Sequence, residues 1–384
     1  MQIFGANLQD RWPLTVRAAA HVGAVVVIIL GLFCECGLAV VYVPEEKPVP
    51  AIFGFGDSLL DAGNNNGLRT LAKANHPPYG QDFPTRTATG RFANGYMILD
   101  LIALKLGLPL TPIHSDPSTK GVNLLHGVNF ASAGSGIQSY VGRELGKVAS
   151  LDAQIQQFAQ VKEEIIATIG VNATSFLIKK SLFYIVTGTN DWLLYTGTPI
   201  GLKFYTEPQY RDLLITKFIL QIKELYNLGA RRVAVVGLGA FGCCPGQMSF
   251  NKALNGTCVQ SLNEVAKDFN DHWKPQFLAL SSSLPGSYFT FEDAYTALLT
   301  VRNNPSDYGY NIVDRACCSI DKYQLFPFCL KGFPSCENVE DHLFWDAHHP
   351  TSRFQAQFLD LVWNNGPPYS YPCSGKQFLS GLRD

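Results

Sequence analysis

The 384-residue chain lacks several features at once, and each absence removes a class of function. It has no charge excess: 30 Lys and Arg stand against 31 Asp and Glu, interspersed and without a basic stripe, for a net charge of −1. That balance argues against a nucleic-acid partner. No CxxC pair or paired-histidine spacing accompanies the ten cysteines, so no metal is expected. Internal repeats and low-complexity tracts are missing as well, while 47% hydrophobic residues can fill a sizeable core. A disordered chain is thereby excluded, and the length suits one large α/β domain or two average ones.

An unbroken apolar run of membrane-spanning length is also missing. Arg11 and Arg17 precede a mostly apolar stretch over residues 18–33, which Cys34-Glu35-Cys36 interrupts before it resumes over 37–41. This reads as a secretory signal over residues 1–43, cut between Cys36 and Pro44. A retained anchor is the alternative. His21, Glu35 and the short run count against it, because a spanning helix needs about 20 apolar residues. A Pro-rich linker, residues 44–50, follows. Removing the signal leaves eight cysteines, Cys243, Cys244, Cys258, Cys317, Cys318, Cys329, Cys336 and Cys373. An even set in the C-terminal half fits disulfides in an oxidising compartment, although their pairing is not readable from sequence. Sequons at Asn172 and Asn255 agree with a secreted, extracellular glycoprotein that keeps no stable membrane anchor.

From residue 51 onward, short β-branched or aromatic runs alternate with helical periods. Strands are expected over 51–55, 127–130, 182–186, 232–236 and 288–291, and amphipathic helices over 96–106, 151–169, 208–228, 259–280 and 352–363. Pro208 suits a first helical turn and Gly229 a C-cap. The alternation predicts a three-layer α/β/α sandwich around a mostly parallel five-stranded sheet, with one catalytic domain over 51–366 and a tail over 367–384.

Ligands of such a sheet bind beyond the carboxyl ends of its strands. The first predicted strand ends in Gly54-Phe55-Gly56-Asp57-Ser58, and residues 59–63 can start a helix. A serine there presents its hydroxyl at the sheet edge, where helix N–H groups stabilise a developing oxyanion; taken alone, however, Ser58 or Asp57 reads better as a mere helix cap. The second predicted strand runs into a small-residue segment containing Gly134, and the third into Thr187-Gly188-Thr189-Asn190-Asp191, where Asn190 offers a neutral amide donor. Far downstream stands Phe344-Trp345-Asp346-Ala347-His348-His349-Pro350. An aspartate three residues before a histidine can fold back onto the ring Nδ1–H and leave Nε2 to take a serine proton.

Together these blocks resemble the plant-type GDSL esterase/lipase family of the SGNH hydrolases. The resemblance rests on FGDSLLDAGNNN at 55–66, PPYGQDFP at 77–84, TGRFANG at 89–95, VNFASAGSGI at 128–137, VTGTND at 186–191, LGARRVAVVGLGAFGCCPGQ at 228–247 and FWDAHHPT at 344–351. It implies Ser58 as nucleophile, Gly134 and Asn190 as oxyanion donors beside the Ser58 N–H, Asp346 as the acid partner and His349 as base. His348 competes as base because it lies one residue nearer Asp346, but the family pattern places the base directly before Pro350. The resemblance implies a Cys243–Cys258 bond. It leaves open the partner of Cys244 and the choice of Cys329 or Cys336 for Cys317 or Cys318. Asp61 and Asn64-Asn65-Asn66 are read as hydrogen-bond scaffolding.

The segment 237–242 matches GxGxxG, yet Cys243-Cys244-Pro245-Gly246 follows where a helix should open directly after the glycines, and no acidic residue stands near the required distance, so no dinucleotide or other cofactor is expected. The expected function is a secreted carboxylic-ester hydrolase acting on lipid-like or acylated small substrates. A polysaccharide deacetylase or an acyltransferase would use the same groups. A non-catalytic acyl- or glycan-binding relative would not need all five.

Overall fold

The structure is a computed structural model describing residues 49–197, 204–253, 255–319 and 328–380; the candidate signal 1–43 and most of the linker 44–50 lie outside the described residues. In chain order the strands are β1 (Ile52–Gly56), β2 (Leu182–Val186), β3 (Arg232–Val236), β4 (Tyr288–Glu292), β5 (Ile312–Ala316), β6 (His342–Phe344) and β7 (Ser370–Tyr371). The helices are α1 (Ile98–Lys105), α2 (Leu151–Ile169), α3 (Val171–Lys180), α4 (Thr189–Gly197), α5 (Glu207–Asn227), α6 (Pro245–Phe250), α7 (Gln260–Ser283), α8 (Ala294–Asn303), α9 (Ser352–Asn364) and α10 (Gly375–Ser380).

Strands β1 to β4 pair in parallel and in sequence order, with Ile52 opposite Leu182 and Leu182 opposite Arg232. Every residue of β1, β2 and β3 is buried, as expected of parallel strands covered on both faces. Odd-numbered β1 residues face α2: the Phe158 ring lies 5.0 Å from Phe53 and 5.9 Å from Phe55, and 5.1 Å from Phe183 of β2. Truncating Phe158 to alanine would cost about 3–5 kcal/mol. On the opposite face, a Cβ on Gly54 would stand 2.6 Å from Leu99 of α1. Helix α2 forms because Leu151, Ile155, Phe158, Val161 and Ile165 recur on one face, Ser150 caps Ala153 N–H, and Gly170 ends it at φ 81°.

The five-stranded, mostly parallel sheet is present, but its fifth strand is not the expected one. Residues 127–130 lie along β1 but pair with it at one isolated bridge, where Gly54 N–H reaches the Val128 carbonyl and Phe130 N–H the Gly54 carbonyl, so no ladder forms. Gly127 enters at φ 99°, and the Asn129 side chain turns to the Leu60 carbonyl and Ala131 N–H, which breaks a regular pleat. The fifth strand is β7, antiparallel to β4, and it comes from the segment read as a tail; α10 follows and packs on α9. β5 and β6 form a separate two-stranded sheet beside the bridges Cys317–Cys336 and Cys318–Cys329. The GxGxxG stretch is a packed turn in which a Cβ on Gly242 would lie 2.3 Å from the Val259 carbonyl, next to the Cys243–Cys258 bond. Cys244 and Cys373 are free thiols.

Candidate active site

Ser58 follows β1 on a tight turn, and Gly56 makes that turn feasible. At φ 137° a Cβ would stand 1.8 Å from the Val186 carbonyl, which instead accepts the Asp57 N–H at 3.1 Å. The helix expected over residues 59–63 is absent. Leu60 N–H and Asp61 N–H both close on the Asp57 carbonyl, and Asp61 then captures Gly63 N–H at 2.8 Å and Asn64 N–H at 2.7 Å. A side chain that takes these donors outcompetes the helical bonds, and the chain next forms only the short 3₁₀ turn Asn64–Gly67.

The expected scaffold is the web that joins this turn to the Gly134 segment. Asp61 accepts Ala133 N–H at 2.9 Å, Asn64 donates to the Asn129 and Ala131 carbonyls, and Asn65 donates to the Ala72 and Ala133 carbonyls. Gly134 stands at φ 84°, a conformation open to glycine. Beside it, the Ser135 carbonyl accepts Asn190 Nδ2 at 2.9 Å. That bond uses one of the two amide hydrogens and leaves the second for a ligand. Gly134 and Asn190 are thus brought to the same turn, with Asn190 at the start of α4.

Two further residues lock this side, and sequence reasoning missed both. Gln154 of α2 receives Gly56 N–H at 2.8 Å and donates to the Gly56 carbonyl at 2.9 Å, pinning the residue before Asp57 at both atoms. Asp191 accepts Ile137 N–H at 2.8 Å and Gln138 N–H at 2.9 Å; burial raises its pKa to about 7 even so. A polar residue inside the apolar face of α2 was the one signal for Gln154.

The downstream groups sit after β6. Trp345 N–H reaches the His349 carbonyl at 2.8 Å, which folds residues 345–349 into a loop. Asp346 Oδ1 then accepts the His348 and His349 N–H groups, each at 2.9 Å, and lies 2.7 Å from His349 Nδ1. His349 Nε2 lies 2.7 Å from Ser58 Oγ. His348 makes no such approach; its carbonyl accepts the Cys244 thiol at 3.7 Å. Burial pushes the Asp346 carboxyl up, but the facing His349 ring and the bonds from His349, Tyr79 and His348 outweigh it and hold the pKa below 3.8. Burial, reinforced by the His349 charge, depresses His348 to about 4.

Two more partners come from the PPYG and TGRFANG blocks. Tyr79 donates its hydroxyl to Asp346 Oδ2 at 2.6 Å, and the Phe92 ring packs 4.9 Å from the His349 ring. Asn172 and Asn255 are both exposed, and the Asn255 side-chain Oδ1 accepts the Thr257 hydroxyl at 2.6 Å. Among the described residues, Cys317, Cys336 and His342 lie close enough together to suggest a metal, but the two sulfurs are bonded to each other and offer no thiolates. No helix among the described residues is long and apolar enough to cross a membrane.

A family model described as GDSL-like Lipase/Acylhydrolase matches residues 52–362. Arabidopsis thaliana GDSL esterase/lipase At5g42170 is 37% identical over 331 residues, covering 86% of this chain and 89% of the relative. GDSL esterase/lipase 7 of the same plant is 38% identical over 337 residues, 86% of this chain and 92% of its own. With the fold, the strand-end serine and these matches in agreement, the chain belongs to the GDSL esterase/lipase family and is a carboxylic-ester hydrolase.

Proposed function

We propose that Ser58 is the nucleophile of this hydrolase, His349 its base and Asp346 the carboxylate that orients the base. The Ser58 and Gly134 N–H groups and the Asn190 amide would receive the oxyanion. The observation that carries this reading is the continuous chain from Ser58 Oγ through His349 Nε2 and Nδ1 to Asp346, with links of 2.7 Å each. Ser58 Oγ attacks the ester carbonyl carbon while His349 Nε2 takes its proton. The tetrahedral oxyanion collapses as His349 returns that proton to the departing alkoxide, and an acyl-enzyme remains. Water, deprotonated by His349, then attacks the acyl carbon and releases the acid. Asp346 stays ionised throughout, as its lowered pKa requires, and stabilises the imidazolium.

The substrates are esters of lipids or acylated small molecules, and the protein is secreted after loss of residues 1–43. Three disulfides and two exposed sequon asparagines support passage through an oxidising compartment. A chain-length series of aryl esters tests the chemistry. Ser58→Ala should lower kcat by roughly 10⁵–10⁶-fold, and Asn190→Ala by about 10²–10³-fold. Hydrolysis that survives Ser58→Ala would sink the assignment. Sequencing the N-terminus of exported protein tests the location, and a membrane-held chain still starting at Met1 would contradict it.

A further inference from the structure

We infer that Tyr79 is a positioning residue for ester hydrolysis, a donor from outside the Asp346 loop that fixes the carboxylate under His349. The inference rests on the triad reading above and adds a member to it. Asp346 is fully buried and, among the described residues, takes four donors: the His349 ring, the His348 and His349 N–H groups, and the Tyr79 hydroxyl. The first three belong to residues 348 and 349, within the same short loop as the carboxylate. They would move with it if the loop pivoted. Tyr79 is 267 residues away in sequence and ties the loop to the body of the molecule.

The phenol is built for one direction of donation. Its oxygen accepts Cys329 N–H at 3.1 Å, so its single proton is left for Asp346. Cys329 is bonded to Cys318, whose own N–H reaches the Trp345 carbonyl at 2.7 Å, immediately before Asp346. Tyrosine, bridge and loop therefore form a closed ring of contacts. The phenol cannot swing away: it is 1% exposed, with Phe92 at 5.7 Å and Trp345 at 6.2 Å edge-on to its ring. Burial, together with the Asp346 charge, raises the phenol pKa well above 10, so it remains a donor across the working pH range.

Tyr79→Phe keeps the packed ring and removes only the donor. It should lower kcat about tenfold with KM unchanged, since a bond to a charged acceptor is among the stronger ones. The deciding measurement is a cycle with Asp346→Asn. If Tyr79 acts through Asp346, Tyr79→Phe costs nothing further in the Asp346→Asn background. An equal loss in both backgrounds, or no loss in the wild type, would overturn the inference. Ser58→Ala run in parallel keeps the two ideas apart. Its survival as an active enzyme breaks the triad reading, whereas an inert Ser58→Ala beside a fully active Tyr79→Phe breaks this one alone.

Discussion

The two halves of the site are held together by different means. On the serine side, a buried parallel strand delivers Ser58, and side-chain amides and carboxylates of Gln154, Asp61, Asn64 and Asn65 bind the neighbouring backbone. On the side of Asp346 and His349, β5 and β6 pair with a shifted register, and Cys317–Cys336 and Cys318–Cys329 brace the segment instead. A five-residue strand inside a sheet inherits its alignment from its neighbours, so local hydrogen bonds suffice to finish the turn. A three-residue strand on a two-stranded sheet inherits little, and covalent closure substitutes for it.

The halves also differ in how burial acts on charge. Burial raises the serine-side carboxyls, Asp57 to about 7, Asp61 to about 6 and Asp191 to about 7, against the backbone N–H groups that lower them. On the other side burial is outweighed at Asp346, which stays below 3.8, and it drives His348 down to about 4. One half therefore favours the protonated acid, the other the carboxylate and the neutral ring.

The largest effect expected from breaking this contrast is in stability. Replacing Cys317 and Cys336 together by alanine opens a loop with a separation of 19 residues and should cost about 3 kcal/mol in denaturant unfolding. Asn65→Ala, which strips donors from the Ala72 and Ala133 carbonyls, should cost about 1–2 kcal/mol. A bridge worth less than that amide would overturn the division of labour.

A second effect is the pH dependence, where the halves should pull in opposite directions. Carboxyls whose pKa is raised on folding bind more protons folded than unfolded, so their contribution to stability is lost as pH rises through about 6 to 7. His348, depressed from 6.5 to about 4, binds more protons unfolded and loses stability as pH falls through that window. The melting temperature should therefore rise as pH falls from about 7 toward 4, where these carboxyls are protonated in the folded chain only, with His348 opposing the rise below about 6.5. Asp57→Asn should flatten the upper limb, and a limb unchanged in that variant would show that the serine side does not carry it. The smallest effect tests the choice of base: His348→Gln should change kcat by less than about threefold, well under 1 kcal/mol. A loss of a hundredfold would move the base one residue upstream.

Much of the fold was legible because local pattern and burial coincide. The bounds of β2, β3 and α2 match the expected ones, since a continuous apolar run suits a strand covered on both faces and three- and four-residue spacing suits a helix covered on one. The stretch 127–130, Gly-Val-Asn-Phe, lacks such a continuous apolar run and pairs with β1 at one bridge only, with Gly127 at φ 99° and the Asn129 side chain bound to Leu60 and Ala131. β7, with two residues and Pro372 beside it, has no pattern long enough to read.

Strand ends, glycine placement and a three-residue spacing made Ser58, Gly134, Asn190, Asp346 and His349 candidates, and the resemblance to the GDSL family implied their roles, because its motifs are local stretches of chain. Tyr79, Phe92, Gln154 and Asp191 act by touching segments distant in sequence, Tyr79 across 267 residues, and no local spacing encodes such a contact. The pairing of Cys317 and Cys318 was open for the same reason, whereas the Cys243–Cys258 bond was implied by the resemblance. The amino-acid sequence by itself determined the kind of chemistry available and the strand on which the serine stands, because residue type and periodicity are written along the chain. Only the tertiary structure decided which histidine faces that serine, how Cys317 and Cys318 pair, and which phenol reaches the carboxylate, because those are distances between segments, set by packing.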